Sequence, residues 1–429
     1  MISRLDEDSD GRIQQREFVR RFGEHFKPLA PLVPQQLHLT LTGNKKEMRV
    51  TWVTRGAVSK AAVEFGTDAG LSGFTSVVAA TSTYHAGTLF PWVGWIHTAV
   101  MSSLNPETKY YYKVGANSAG GVWSDVRDFV TESASPKPVT VALYGDMGTV
   151  MPFGFEVSAQ IISDNHVAPY DLVVHAGDIA YAGTGGTWEF EYFWDLFFRQ
   201  VEPFASRVPY MTAVGNHEHY FNFSSYNARF QMPSYAPASG GNGNFWYSVD
   251  HSYAHWTFMS TEHDYSPGSA QYQWIQQDLE KAAKNRQNVP WIFLVGHRPM
   301  YSSDKDEYSS HRPGAPFATA IEPLLVKYAV DMYWSGHMHQ YERTWPLING
   351  TAITYDNNKY MHPKRPAYIV QGTAGALILE QWVEPQPQWS VVRSQEYGYG
   401  RLTLQKSSFH YEYLSTLTNL VIDEFWLYQ

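Results

Sequence analysis

The sequence of 429 residues contains no cysteine. This absence excludes disulfide bonds, zinc–thiolate sites, iron–sulfur clusters and cysteine nucleophiles. Any metal chemistry must therefore use His, Asp, Glu, Asn or Tyr side chains, and the 17 histidines leave that chemistry open.

Positive charge is also scarce: the chain has 32 Lys and Arg residues and 41 Asp and Glu residues, which gives a net charge of −9. This balance argues against a protein that neutralises nucleic-acid phosphates or coats an anionic membrane, so we expect neither partner. The longest stretch without a charged residue, 69–106, contains Pro91, His85 and His97 and predicts strands and turns rather than a membrane span. The oligomeric state cannot be predicted from these features.

Apolar residues are plentiful, at 44% of the chain, and aromatic residues reach 16%. A chain of this length and composition is expected to fold into two or three domains with much β-structure. No apolar signal-peptide core is present in the first ten residues, so we expect either an intracellular protein or a chain that begins after processing or truncation. Sequons at Asn222 and Asn349 favour the secretory route, and we expect a secreted or vacuolar/lysosomal glycoprotein.

The first segment, 1–28, contains the pattern D-E-D-S-D-G-R-I-Q-Q-R-E at residues 6–17. This pattern predicts an EF-hand-like calcium loop followed by its exiting helix. The expected calcium ligands are Asp6, Asp8, Asp10, the carbonyl of Arg12, and Glu17. Only five residues precede the loop, so the unit is partial, and the alternative is an acidic tail.

The next segment, 29–133, alternates short β-patterns with Gly, Asn, Ser and Pro turns, which predicts an all-β sandwich of seven or so strands. Its stretch LNPETKYYYKVG resembles the late-strand pattern of fibronectin type III domains. A linker, SASPKP, leads into the segment 138–429. There, buried apolar strands alternate with helix-like stretches such as YQWIQQDLEKAA, which predicts an α/β domain of stacked sheets flanked by helices.

Several apolar strands of this last segment end in polar residues that are common metal ligands. Strand ends of this architecture line a common edge, where sites are built, and here they supply donors for two metal ions. The residues are Asp146, Asp178, Tyr181, Asn216, His217, His297, His337 and His339. By contrast, we expect His175, within a buried strand, to be a core histidine.

The order of these motifs resembles the metallophosphoesterase superfamily and, within it, the purple acid phosphatases. The five blocks are GDMG (145–148), GDIAY (177–181), GNHE (215–218), GHRP (296–299) and GHMH (336–339). Tyr181 is decisive, because other superfamily members lack this tyrosine. The resemblance implies a calcineurin-like dinuclear metallophosphatase domain, including its C-terminal part, behind a fibronectin-like domain.

The resemblance also implies the metals and their ligands. Asp146, Tyr181 and His339 would hold Fe(III), and Asp178 would bridge. Asn216, His297 and His337 would hold one divalent ion, either Zn, Fe or Mn. The implied activity is acid hydrolysis of small phosphate monoesters with a metal-bound hydroxide as nucleophile.

By the same resemblance, His217 would contact the substrate phosphate or protonate the leaving alcohol; the alternative is a structural imidazole. Plant-type members carry a further histidine pair where this chain has Asp306 and Glu307. Either His311 or Arg298 assists the leaving group, or His217 acts alone.

Two other functions remain open. One is a phosphodiesterase or nucleotidase with the same metals, against which Tyr181 argues. The other is a calcium-regulated binding protein with a vestigial phosphatase fold, which the filled ligand positions disfavour.

Overall fold

The computed structural model describes residues 29–85, 92–117, 121–149, 153–184, 190–233, 241–379 and 381–429. The predicted calcium loop and the rest of the 1–28 segment lie outside the described residues, so the calcium site stays a prediction. Across the described part of the chain, no helix combines the length and the apolar character that crossing a membrane requires.

The N-terminal part of the described chain is a sandwich of two four-stranded sheets. Its strands are β1 (Gln35–Thr40), β2 (Met48–Thr54), β3 (Ala61–Gly66), β4 (Thr75–Val78), β5 (Ala80–Ser82), β6 (Trp95–Met101), β7 (Lys109–Ala116) and β8 (Arg127–Val130). The sheet orders are β1-β2-β6-β5 and β4-β3-β7-β8, with antiparallel neighbours throughout. Trp52 on β2 and Tyr112 on β7 are fully buried in one core cluster, which confirms the predicted sandwich.

The remaining described chain is an α/β domain. Its strands are β9 (Val139–Tyr144), β10 (Leu172–Ala176), β11 (Tyr210–Ala213), β12 (Tyr247–His251), β13 (Ala254–Phe258), β14 (Trp291–Val295), β15 (Met332–Ser335), β16 (Tyr341–Thr344), β17 (Leu347–Ile348), β18 (Thr351–Ala352), β19 (Lys359–Met361), β20 (Ala367–Gln371), β21 (Ser390–Ser394), β22 (Gly398–Leu404), β23 (Ser408–Ser415) and β24 (Val421–Tyr428). Its α-helices are α1 (Gly154–Val167), α2 (Phe190–Ala205), α3 (Tyr220–Arg229), α4 (Ala270–Lys284) and α5 (Pro316–Lys327).

Two seven-stranded sheets stack in this domain, with the orders β11-β10-β9-β22-β23-β24-β19 and β12-β13-β14-β15-β20-β16-β21. Aromatic rings join the two sheets: Phe293 and Phe409 lie 5.7 Å apart between ring centroids. Tyr341 and Tyr413 stack at 4.0 Å. Such ring pairs fill the space between the sheets. Every residue of β10 and β14 is buried, as in sheets that are covered on both faces.

Helix α4 covers the second sheet through its contacts with β13 and β14. It begins at the N-cap Ser269, whose hydroxyl accepts a hydrogen bond of 3.2 Å from the backbone N–H of Tyr272. Ile275, Leu279 and Ala282 are buried along one face, as their spacing predicts.

The topology brings the predicted site residues together. Strands β9, β10 and β11 are parallel neighbours in the first sheet, and β14 and β15 are parallel neighbours in the second. Their carboxyl ends therefore meet at one edge of the stacked sheets. The residues that follow these ends are, in the same order, Asp146, Asp178, Asn216, His297 and His337.

Candidate metal centre

Three predicted ligands form a first cluster. The hydroxyl of Tyr181 donates a hydrogen bond of 2.9 Å to Oδ1 of Asp146 and lies 2.7 Å from Nε2 of His339. The same nitrogen of His339 is 3.5 Å from Oδ1 of Asp146. The structure thus brings together the three side chains to which the family resemblance assigns a ferric ion.

Four further ligand candidates form a second cluster. Nε2 of His297 lies 3.0 Å from Oδ1 of Asn216 and 3.2 Å from Oδ2 of Asp178. Nδ1 of His337 lies 3.3 Å from Nε2 of His297. Asp178 lies with this second cluster by these contacts, and its role as a bridge to the first cluster stays a prediction.

Hydrogen bonds from outside the site fix which ring nitrogen of two histidines faces inward. Nδ1 of His297 is 2.9 Å from the carbonyl oxygen of Ala176, and Nδ1 of His339 is 2.8 Å from that of Leu377. Because a carbonyl only accepts, Nδ1 carries a proton on both rings, and Nε2 is the nitrogen that faces the site. In the second cluster, Nε2 of His297 faces amide and carboxylate oxygens. Acceptors that converge in this way fit a bound cation.

The pKa shifts of the site residues reflect the same convergence of acceptors and negative charge. Burial lowers the pKa of His297, but the charge of Asp178 outweighs that effect and raises the pKa to about 10. Burial would raise the pKa of Asp178, yet His297 and His217 hold it well below its usual range. Burial, aided by the charges of Asp146 and Asp178, raises the pKa of Tyr181 well above 10. Without a cation, His297 therefore holds a proton in the second cluster and Tyr181 stays protonated.

The backbone at the site is strained. The φ angle is 61° at Asp146, 50° at Asp178, 52° at Tyr181 and 71° at His337. Left-handed conformations of non-glycine residues cost about 1–3 kcal/mol each and persist where the surroundings enforce them. Gly177, with φ of 85°, precedes Asp178, and a Cβ atom there would lie 2.5 Å from Nδ1 of His297. Glycine is required at this close approach, as the GD pattern predicts.

Glu218 is a buried residue whose role the sequence did not predict. Its carboxylate accepts backbone hydrogen bonds from Asp178 (2.9 Å), Ile179 (2.8 Å) and Gly215 (2.8 Å). Burial, aided by the charge of Asp178, raises its pKa to about 8. Glu218 ties the loop after β10 to the loop after β11. The glutamate of the GNHE block was the available sequence signal.

His217 lies beside both clusters. Its backbone N–H donates a hydrogen bond of 2.8 Å to Oδ1 of Asp178, and its ring lies 4.5 Å from that of Tyr181 between centroids. The side chain is 26% exposed, so solvent and small ligands reach it. Its contact with substrate stays a prediction.

Arg298 lies at the rim of the second cluster. Its Nε and Nη2 donate hydrogen bonds of 2.9 and 3.1 Å to the two carboxylate oxygens of Glu262. Its Nη1 is 3.0 Å from Nε2 of His337. Glu262 is not predicted from the sequence, because no motif marks a partner 36 residues before Arg298.

His311 is buried, and both of its ring nitrogens have protein partners. Nδ1 lies 2.6 Å from the carbonyl oxygen of Pro299, and Nε2 lies 3.2 Å from Oε2 of Glu307. Assistance to a leaving group by His311 stays a prediction. His175 is also buried, with Nδ1 2.7 Å from the hydroxyl of Tyr210, which confirms a core histidine.

Comparison with known proteins gives family matches along most of the chain. Residues 34–131 match the purple acid phosphatase N-terminal domain. Residues 139–341 match the calcineurin-like phosphoesterase family, and residues 365–424 match the iron/zinc purple acid phosphatase-like protein C family.

Individual relatives cover the chain almost end to end. Acid phosphatase type 7 of Mus musculus is 34% identical over 428 residues, which span 92% of this chain and 91% of the mouse protein. The chain belongs to the purple acid phosphatase family. Probable purple acid phosphatase 20 of Arabidopsis thaliana is 31% identical over 88% of this chain and 83% of its own length. The structure of purple acid phosphatase PPD1 from yellow lupin (Lupinus luteus) seeds matches with a TM-score of 0.83 and 26% identity, over 93% of this chain and 75% of that chain.

As a purple acid phosphatase, the protein is a phosphatase that acts on small phosphate esters and has a dinuclear metal centre. The family relationship confirms the resemblance carried by the five sequence blocks. It also confirms the fold class, a β-sandwich followed by an α/β metallophosphoesterase domain.

Proposed function

We propose that this purple acid phosphatase hydrolyses phosphate monoesters in acid with one Fe(III) and one divalent ion, either Zn, Fe or Mn. The observation that carries the proposal is the first cluster, where the Tyr181 hydroxyl lies within 2.9 Å of Asp146 and within 2.7 Å of His339. Phenolate and carboxylate oxygens suit a hard trivalent cation, whereas the two imidazoles of the second cluster suit a divalent one.

In this proposal, Asp146, Tyr181 and His339 hold the ferric ion, and the second cluster holds the divalent ion. When bound, the two ions supply Lewis-acid chemistry that makes hydroxide available as the nucleophile in acid. Asp178 would serve both ions, because its carboxylate lies in the second cluster and the same loop after β10 carries Tyr181 of the first. The strained backbone at these residues holds the donors in place before the metals bind.

His217 is the group that we assign to the substrate. Its Nε2 lies 3.8 Å from Oδ2 of Asp178, so the ring edge is next to the ligands and still open to solvent. From this position it donates a hydrogen bond to a phosphate oxygen or a proton to the leaving alkoxide. General acid assistance of this kind contributes about 10²–10⁴-fold to the rate.

We also propose that the protein enters the secretory route, as a secreted or vacuolar/lysosomal glycoprotein. Exposure of both sequon residues, Asn222 and Asn349, supports this location. A glycosidase that removes N-linked glycans should lower the apparent mass of protein from the native cell. An unchanged mass would remove this support.

The catalytic proposal is tested with p-nitrophenyl phosphate and bis(p-nitrophenyl) phosphate, together with metal analysis and a visible absorption spectrum. We expect turnover of the monoester in acid, little turnover of the diester, about one iron and one divalent ion per chain, and visible absorption. An active protein that is colourless and free of iron would refute the ferric assignment. A preference for the diester would refute the monoesterase assignment.

A further inference from the structure

Glu307 contacts the candidate metal centre from outside. Its Oε2 lies 3.2 Å from Nε2 of His337, a ligand of the second cluster. The same oxygen lies 3.2 Å from Nε2 of His311. One carboxylate oxygen thus sits between two imidazole rings.

Hydrogen bonds support Glu307 from behind. His311 is buried, and its Nδ1 lies 2.6 Å from the carbonyl oxygen of Pro299, which is two residues after His297 in the GHRP block. The backbone N–H of Glu307 donates a hydrogen bond of 3.0 Å to Oδ1 of Asp304. These contacts hold the Glu307 carboxylate, which is 43% exposed, against His337.

The nitrogen of His337 that faces Glu307 has two competing neighbours. Nη1 of Arg298 is a donor at 3.0 Å, and Oε2 of Glu307 is an acceptor at 3.2 Å. A neutral imidazole carries one N–H. If Nε2 of His337 accepts a hydrogen bond from Arg298, the ring proton must be on Nδ1. Nδ1 faces His297 in the second cluster, so in this tautomer it has no lone pair to offer a metal ion there. If Nε2–H donates to Glu307, the lone pair of Nδ1 faces the site.

We propose that Glu307 is a positioning residue that holds His337 in the tautomer with Nδ1 free for the divalent ion. This inference rests on the proposed second metal position. Glu262 supports the same outcome, because its bidentate hydrogen bonds restrain the Nε and Nη2 atoms of Arg298. Carboxylate partners of metal-bound histidines fix the tautomer and ring orientation in this manner.

The test is titration of Zn²⁺ into protein from which the divalent ion has been removed, for wild type and three variants. Glu307→Ala should weaken zinc binding by about 10–100-fold. Glu307→Gln keeps an acceptor oxygen and should stay close to wild type. The double variant Glu307→Ala/Arg298→Ala should bind zinc more tightly than Glu307→Ala, because the competing donor is gone. Glu280→Ala, an exposed glutamate on α4, is the control and should bind as wild type.

The tautomer of His337 is a second measurement, independent of bound metal. With ¹⁵N-labelled histidine, long-range proton–nitrogen spectra should show Nε2–H for His337 in wild type and Nδ1–H in Glu307→Ala. Zinc binding by Glu307→Ala at wild-type affinity, or an unchanged His337 tautomer, would overturn the inference. The inference would also be overturned if wild type bound a third metal ion that Glu307→Ala did not bind, because Glu307 and His311 would then be metal ligands themselves. If wild type bound no divalent ion, the proposed function would fail, and the tautomer would still decide the role of Glu307.

Discussion

Replacing Glu218 tests whether this buried carboxylate maintains the site, and we expect Glu218→Ala to be strongly destabilising. The substitution leaves the backbone N–H groups of Asp178, Ile179 and Gly215 without their acceptor. A buried polar group without its hydrogen bond costs about 1–3 kcal/mol, so the three groups together cost about 3 kcal/mol or more. Domains are usually stable by only about 5–15 kcal/mol, so the loss is a large fraction.

The assay combines urea unfolding with hydrogen exchange. The unfolding midpoint should fall well below that of wild type, and amide protection should be lost at Asp178, Ile179 and Gly215. Glu280→Ala is the matched control, since the Glu280 side chain is 45% exposed and pairs with Lys284, at 2.6 Å, on the surface of α4. Exposed helical pairs of this kind contribute about 0.3–0.5 kcal/mol.

The hydrogen exchange result also separates local from global effects. If Glu218 ties the two loops together, exchange should rise there first, and metal occupancy should fall with it. A Glu218→Ala protein with the same midpoint as the Glu280→Ala control, and with the three amides still protected, would refute the reasoning.

Further predictions concern the charges and metals of the same centre. In the metal-free protein, the pKa of Glu218 is raised from 4.5 to about 8 by burial, so the folded state holds a proton that the unfolded state releases between these values. Stability should therefore fall as the pH rises through this window, and Glu218→Gln should flatten the fall in urea midpoints measured from pH 5 to 8. Tyr181→Phe should abolish visible absorption while the circular dichroism spectrum is kept; a variant that remained coloured would exclude the phenolate. Asn216→Ala should lose the divalent ion alone, and Asp178→Ala should lose both ions; two ions and normal activity in Asp178→Ala would contradict the bridge. Chelating calcium should leave turnover unchanged, because the predicted loop shares no ligand with the metal centre, and dependence of turnover on micromolar calcium would contradict this separation.

Five of the seven predicted metal ligands were predictable because each lies two or three residues past the end of a strand: Asp146, Asp178, Asn216, His297 and His337. An apolar run that ends in a Gly and a polar residue fixes both the strand and the place of the side chain at its end. Parallel neighbours such as β9 and β10 then bring Asp146 and Asp178 to one edge without further information from the sequence. For this reason, residues that are more than 190 positions apart in the sequence, such as Asp146 and His339, could be assigned to one site.

The groups that support the ligands could not be predicted in the same way. Glu262, four residues past the end of β13, and Glu307 lie in none of the five sequence blocks. Their partners Arg298 and His337 lie 36 and 30 residues away along the chain. Contacts of this kind depend on how loops pack, which periodicity does not describe. Buried hydrogen bonds could not be predicted for the same reason. The sequence identifies Glu218 within a motif, but only the packed structure shows three backbone donors around it.

The relation between the two domains is a further property that the linker alone does not reveal. Arg229, at the end of α3, is buried, and its Nη2 pairs with Glu191 and Asp195 of α2 at 3.2 and 2.9 Å. Its other two nitrogens form hydrogen bonds with residues of the N-terminal segment that forms the sandwich. Nε donates to the hydroxyl of Tyr84 at 3.0 Å, and Nη1 donates to Oε1 of Gln36 at 2.9 Å. Breaking such a buried pair costs about 3–5 kcal/mol, because the remaining charge stays buried. The sandwich therefore completes the hydrogen bonds of a catalytic-domain arginine, and α2 and α3 depend on it for part of their stability.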